Sequence, residues 1–245
     1  MPAYQLSEPA VAMFVVIADL LVGILVWSVA VVWRRSGAPP ARVQRAWIVT
    51  AVVAGLWMAV TWIAAASGAL RVWDRRPPPF ALLIAGIVIV SCVVAFGRVG
   101  RLLAMYTPLW ALVAVQSFRL PLELAMHAMY KRGIMPEQMT YTGRNFDIVT
   151  GATAIVVALL VAKGYAGRGL VAAWNLLGFA LLINVLVVAI LATPVFSYFG
   201  PDHLNTFVTY VPFVWLPAIM VTAALSGHLV IARALAAPHR HPHQI

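Results

Sequence analysis

Charge is scarce in this chain. Of 245 residues only 10% are charged and 63% are hydrophobic, whereas a soluble domain carries roughly 25% charged residues. The mean hydropathy is +0.94. An aqueous fold has no interior large enough to hide that much apolar surface, so the composition predicts an integral membrane protein. Cysteine is almost missing. A lone Cys92 excludes a disulfide framework and any Cys-based zinc or iron–sulfur site, and it reads as a small buried apolar residue. Residues 211–236 contain no lysine, so the last apolar run cannot form a retinal Schiff base. No Ser or Cys nucleophile motif stands out. The one glycine-rich stretch, GYAGRG, lacks the Lys-Ser or Lys-Thr of a phosphate loop. The first eight residues lack the basic stretch of a signal peptide, so the first apolar run is expected to be a retained helix. No internal repeat is visible, which argues against the inverted-repeat transporter folds.

What is present is a set of long apolar runs with basic flanks. A spanning helix needs roughly 20 apolar residues. The runs predict a single all-α membrane domain of seven transmembrane helices, at about 9–33, 46–70, 79–97, 107–130, 147–163, 170–193 and 211–236. Residues 237–245, PHRHPHQI with its preceding alanine, are expected to be a disordered histidine-rich tail. The net charge of +10 would suggest nucleic acid in a soluble protein. Here the basic residues flank the apolar runs, so they point to membrane orientation and anionic lipid headgroups instead. An outside N-terminus and a cytoplasmic C-terminus put ten basic residues inside and six outside, the direction the positive-inside rule requires. Trp33, Trp47, Trp110 and Trp174 are then expected at the inner interface, and Trp73 and Trp215 at the outer one.

The fourth run carries Gln116, Arg119, Glu123 and His127, spaced three, four and four. Such residues share one helical face. A charge at the bilayer centre costs roughly 2.5–3.5 kcal/mol on insertion scales, so this face is predicted to turn inward, with Arg119 and Glu123 paired on adjacent turns. Pro121 removes a backbone donor and crowds the carbonyl of Ser117, which should bend the helix. Asn145 or Asp147 is a natural N-cap for the fifth helix. Asp147 is also expected level with Glu123 and His127. Asn184 is expected at mid-depth, and Asp19 about ten residues into the first helix. Together these predict a polar cavity open to the outside, with Glu123, His127, Asp147 and Asp19 around its upper part and Arg119 and Asn184 at its floor. Pro212 and Pro217 should bend the outer half of the last helix. His228 should lie toward the inner side, too far from His127 for the two to share a haem.

The residues Arg119, Pro121 and Glu123, then Pro136, Met139, Thr140, Gly143, Asn145, Phe146 and Asp147, then Trp174 and Asn175, then Trp215, Leu216, Pro217 and His228 carry a resemblance. Over roughly its C-terminal half the chain resembles a family of uncharacterised bacterial seven-helix membrane proteins. The resemblance implies a bacterial inner-membrane protein and brings no activity with it. His127 and His203 lie outside its signature.

Three functional readings follow. The first is a protein that binds or translocates a small polar or ionic ligand, with Arg119 on its anionic part. Glu123 and Asp147 then carry a coupled proton, and Asn145, Asn184 and Asp19 contribute to the site. The second is a membrane enzyme using a divalent metal at Glu123, His127, Asp147 and His203, since Glu123 and His127 have the i, i+4 spacing of paired ligands. The sequence itself requires no cofactor. The third is a non-catalytic subunit of a larger membrane complex.

Overall fold

Apolar runs with proline at their starts and glycine near their ends become helices here. A computed structural model of the chain describes residues 9–237, so the tail predicted beyond Ala237 lies outside the described residues. Helix α1 is Pro9–Arg35 and closes with Arg34 and Arg35 in its last turn, where cations suit the helix dipole. Helix α2 is Pro40–Ala66. It starts inside the polar stretch expected to be a break, because Pro40 occupies the first helical turn, where a missing N–H costs nothing. It ends before Gly68, whose φ of +82° a side chain would resist. The expected span 46–70 is therefore moved about one turn toward the N-terminus.

Helix α3 is Pro79–Phe96, and α4 is Arg98–Tyr106. The stretch GRVGR begins where the predicted span 79–97 ends and precedes the span 107–130, so it reads as a break. Instead it opens α4, a short helix lying against the ends of α1, α3 and α9. Helix α5 (Leu109–Val115) and α6 (Arg119–Tyr130) join through one 3-10 turn, Gln116–Phe118. Helix α7 is Ile148–Ala162 and α8 is Arg168–Leu191. A π-helical segment, Leu216–Val221, leads into α9, Thr222–Ala236. There is no strand among the described residues.

Six of these helical rods are long and apolar enough to cross a membrane: α1, α2, α3, the continuous Leu109–Tyr130, α8 and the continuous Leu216–Ala236. Helix α7 is apolar but shorter, at 15 residues. The outer faces are lined with large apolar side chains such as Leu56, Ile63, Val93 and Leu176. This is a multi-pass membrane protein.

The connections gather at two ends of the bundle. At one end Arg35 donates to the Tyr106 carbonyl at 2.8 Å, Arg168 to Leu235 at 2.6 Å and Arg233 to Ala95 at 2.9 Å. At the other, Gln138 donates to the His203 carbonyl at 2.6 Å and the Arg71 guanidinium lies 4.5 Å from the centre of the Tyr210 ring. Two of the tryptophans expected at the inner interface, Trp33 and Trp174, are buried within the protein. Trp174 donates to Thr153 Oγ1 at 2.9 Å, and Trp33 packs under Arg98. Cys92 is half-buried rather than buried.

Candidate functional site

The site is built where α6, α7 and the 131–147 connection meet. Pro121 has no N–H for the carbonyl of Ser117, and the 3-10 turn falls at that carbonyl, just before Arg119. Gly151 brings α7 against this turn. A Cβ at Gly151 would run into the backbone nitrogen of Leu120. The start of α7 is thereby held beside Arg119.

Arg119 and Glu123 are both buried, as the stripe predicted. Their pairing differs from the prediction. Arg119 Nη1 meets Asp147 Oδ1 at 2.8 Å, the one ion pair found among the described residues. Glu123 Oε1 accepts from Asn145 Nδ2 at 2.7 Å instead of meeting the guanidinium. Residues at i and i+4 share a face, but each side chain here turns to a partner from the facing loop. Asp147 stands at the N-cap position of α7, yet its side chain makes no capping bond, because its carboxylate is spent on Arg119. The Asn145 side chain is fully used. Its amide donates to Glu123 and to the Met139 carbonyl (3.0 Å), and its oxygen accepts from the Asp147 N–H (3.0 Å).

The segment 137–147 folds down as a plug. Gln138, Met139, Thr140, Asn145 and Asp147 are all buried. Thr140 Oγ1 bonds the Glu137 carbonyl at 2.9 Å and the Asn145 N–H reaches the Thr140 carbonyl at 3.2 Å. Gly143 is needed for this turn, since a Cβ there would strike the Glu137 carbonyl. From outside the plug, Asn184 Nδ2 donates to the Arg144 carbonyl at 2.8 Å. Asn184 thus braces the loop and is not the cavity floor that the sequence suggested.

Below the plug is a cavity of about 60 Å³. One wall is Arg119, Glu123, Asn145 and Asp147, and the remainder is largely apolar, including Leu122, Leu182, Leu216 and Met220. Pro217 and Val221 from the π-helical segment also line it. Pro217, where a bend was expected, stands in this π-helical segment, and the Trp57 indole N–H donates to the Ala218 carbonyl at 2.8 Å. Arg119 Nε and Nη2 and Glu123 Oε2 are buried without a hydrogen-bond partner among the described residues.

Besides Asn184, three more of the predicted site residues lie elsewhere. His127 is half-buried against Tyr141, with ring centres 4.6 Å apart. His203 is exposed, and its carbonyl takes the Gln138 bond. Asp19 is exposed on the outer face of α1, beside Leu20 and Trp27, not around the cavity. Among the described residues no three His, Cys, Asp or Glu side chains converge on a possible metal site. Glu123, His127, Asp147 and His203 are therefore not brought together.

Sequence reasoning missed a second buried polar pair. His228 Nδ1 lies 2.8 Å from Asn175 Oδ1, and Asn175 Nδ2 donates to the His228 carbonyl at 3.3 Å. The signal was present as Asn175 and His228, each a polar residue inside an apolar run. Gln116 is also buried, against Gly227, whose missing side chain leaves the room it occupies. No family model, curated protein or solved structure matches the chain.

Proposed function

We propose that the cavity beneath the plug binds or translocates a small polar or ionic ligand, with a proton moving alongside it. The observation that carries this reading is the set of buried atoms on the polar wall. Arg119 offers Nε and Nη2, and Glu123 offers Oε2, none of which has a hydrogen-bond partner among the described residues. Leaving buried polar groups unmade costs roughly 1–3 kcal/mol each, so a site that keeps three of them is suited to a ligand that supplies the partners. An anionic head would meet Arg119, and a short apolar body would meet Leu122, Leu182 and Met220. The cluster contains one guanidinium and two carboxyl groups. An anion entering it leaves the net charge of the cluster unchanged only if a proton enters too, and Glu123 is the carboxyl without a cation of its own.

The frame we propose for this site is seven crossings in a bacterial cytoplasmic membrane, with the N-terminus outside. Helix α7 rises roughly 22 Å at 1.5 Å per residue, and the buried plug supplies the depth it lacks. The two clusters of connections and the basic-residue bias support the same arrangement. In a Cys92→Ala chain, Thr142→Cys should react with an impermeant maleimide on intact cells, and Gln44→Cys only after permeabilisation. The reversed pattern would overturn the orientation.

The functional test uses the full chain in lipid nanodiscs with acetate, propionate and butyrate. Thermal stabilisation that rises with the logarithm of anion concentration is expected, reaching about 2.7 kcal/mol at a hundredfold excess over Kd. In vesicles, Glu123→Gln should keep that binding and lose anion-linked proton uptake. Absence of stabilisation by all three anions would remove the reading.

A further inference from the structure

Asp19 is a carboxyl group on the face of α1 that points away from the bundle. The opposite face of the same helix is packed, with Phe14, Ile17, Ala18 and Leu21 buried. Asp19 lies roughly 15 Å along the axis from Pro9 and roughly 22 Å from Arg34, at 1.5 Å per residue. That is well inside a hydrocarbon core about 30 Å thick. Its side chain is too short to reach either surface. Ionisable residues inside membranes almost always face a protein interior or a partner, because lipid exposure is costly. This one faces neither within the chain.

The surroundings of Asp19 have the form of a helix-packing seam. Val16, Leu20, Gly23 and Trp27 run past it along one outer stripe, spaced four, three and four, and with Asp19 and Ile24 they line one shallow groove. Such spacing suits a second helix packed nearly parallel or antiparallel. Gly23 stands one turn from Asp19, and a Cβ placed there meets nothing within 4 Å. Small residues at such positions let helices approach closely in membranes.

We propose that this face of α1 docks a transmembrane helix of another protein, carrying a lysine or arginine at the depth of Asp19. Charge complementarity selects that occupant. A second copy of this chain has no suitable cation to offer. Arg119 is the one basic residue within a described span away from the helix ends, and it is buried and paired with Asp147. Pairing α1 with α1 in parallel would set two Asp19 carboxyls against each other. A lipid headgroup cannot reach that depth.

The test uses the full chain in phosphatidylcholine vesicles. The probe is a labelled Leu/Ala helix of about 23 residues with one central lysine, and the control has leucine in its place. Energy transfer should report association of the lysine helix about fivefold stronger than that of the control. Asp19→Leu should reduce it to the control level. Gly23→Ile should weaken it without unfolding the chain, because the groove is open at that point. Equal binding to the parent chain and to Asp19→Leu would overturn the proposal, as would no binding to the parent. Energy transfer between two labelled copies of the chain, abolished by Asp19→Leu, would assign the face to self-association and overturn it as well.

Discussion

Asp147 and Asp19 are the same side chain in two opposite settings. Asp147 is buried at the start of α7, with a guanidinium at 2.8 Å. Asp19 sits within α1 with its carboxyl outside the bundle. The comparison shows that a polar residue in an apolar run carries no label for the side it faces. For the residues of α6 and for Asp19 the difference lies in the company each keeps on its own helix. Arg119 and Glu123 come with Gln116 and His127 along one stripe, and that stripe turned inward. Asp19 is alone among apolar neighbours, and it turned outward with Val16 and Leu20.

The strongest way to break this contrast is to remove one member of the buried pair. Arg119→Leu and Asp147→Leu should each cost roughly 3–5 kcal/mol, since each leaves an uncompensated buried group. The double variant should recover much of the loss in detergent unfolding. Additive losses would mean that the two do not act as a pair, and Asp147 would then resemble Asp19 more than the distance between its oxygen and Arg119 suggests.

A smaller effect is expected from filling space at two glycines. Gly227→Ala would push a methyl group into the Gln116 amide and should cost roughly 1–3 kcal/mol as overpacking. Adding Gln116→Ala should relieve it. Gly23→Ala, on the outer face, should change stability by less than about 0.5 kcal/mol. Equal effects at the two sites would erase the distinction between inside and outside.

The smallest effect is predicted for Asp19→Leu in the isolated chain, within about 0.5 kcal/mol in detergent. A large loss would show that Asp19 has a structural partner, and the docking face would lose its basis.

These contrasts also mark how far the sequence could be read. The long helices were legible because length and hydropathy alone determine them. The inward turn of Arg119 and Glu123 followed from the three-and-four spacing. Their partners did not, because i, i+4 spacing gives adjacency on one helix and says nothing about what a loop presents across from it. Asn145 and Asp147 were recognised as cap candidates, yet a tertiary cation took the carboxylate from the cap. The helix α4 was missed since two glycines in GRVGR resemble a break, although Gly100 is there to let the helix press against the end of α3. Asp19 was placed around the cavity because depth was known and rotation about the helix axis was not.

The plug has a mechanical consequence. Asn145 and Asp147 stand two residues apart on one strip of backbone and plug into two sockets, Glu123 and Arg119, one turn apart on α6. They are bound to each other through the Asp147 N–H and the Asn145 oxygen. Lifting that strip as a unit would unplug both sockets together, like a two-pin connector. Uncovering the cavity and freeing its charged groups would then be a single movement.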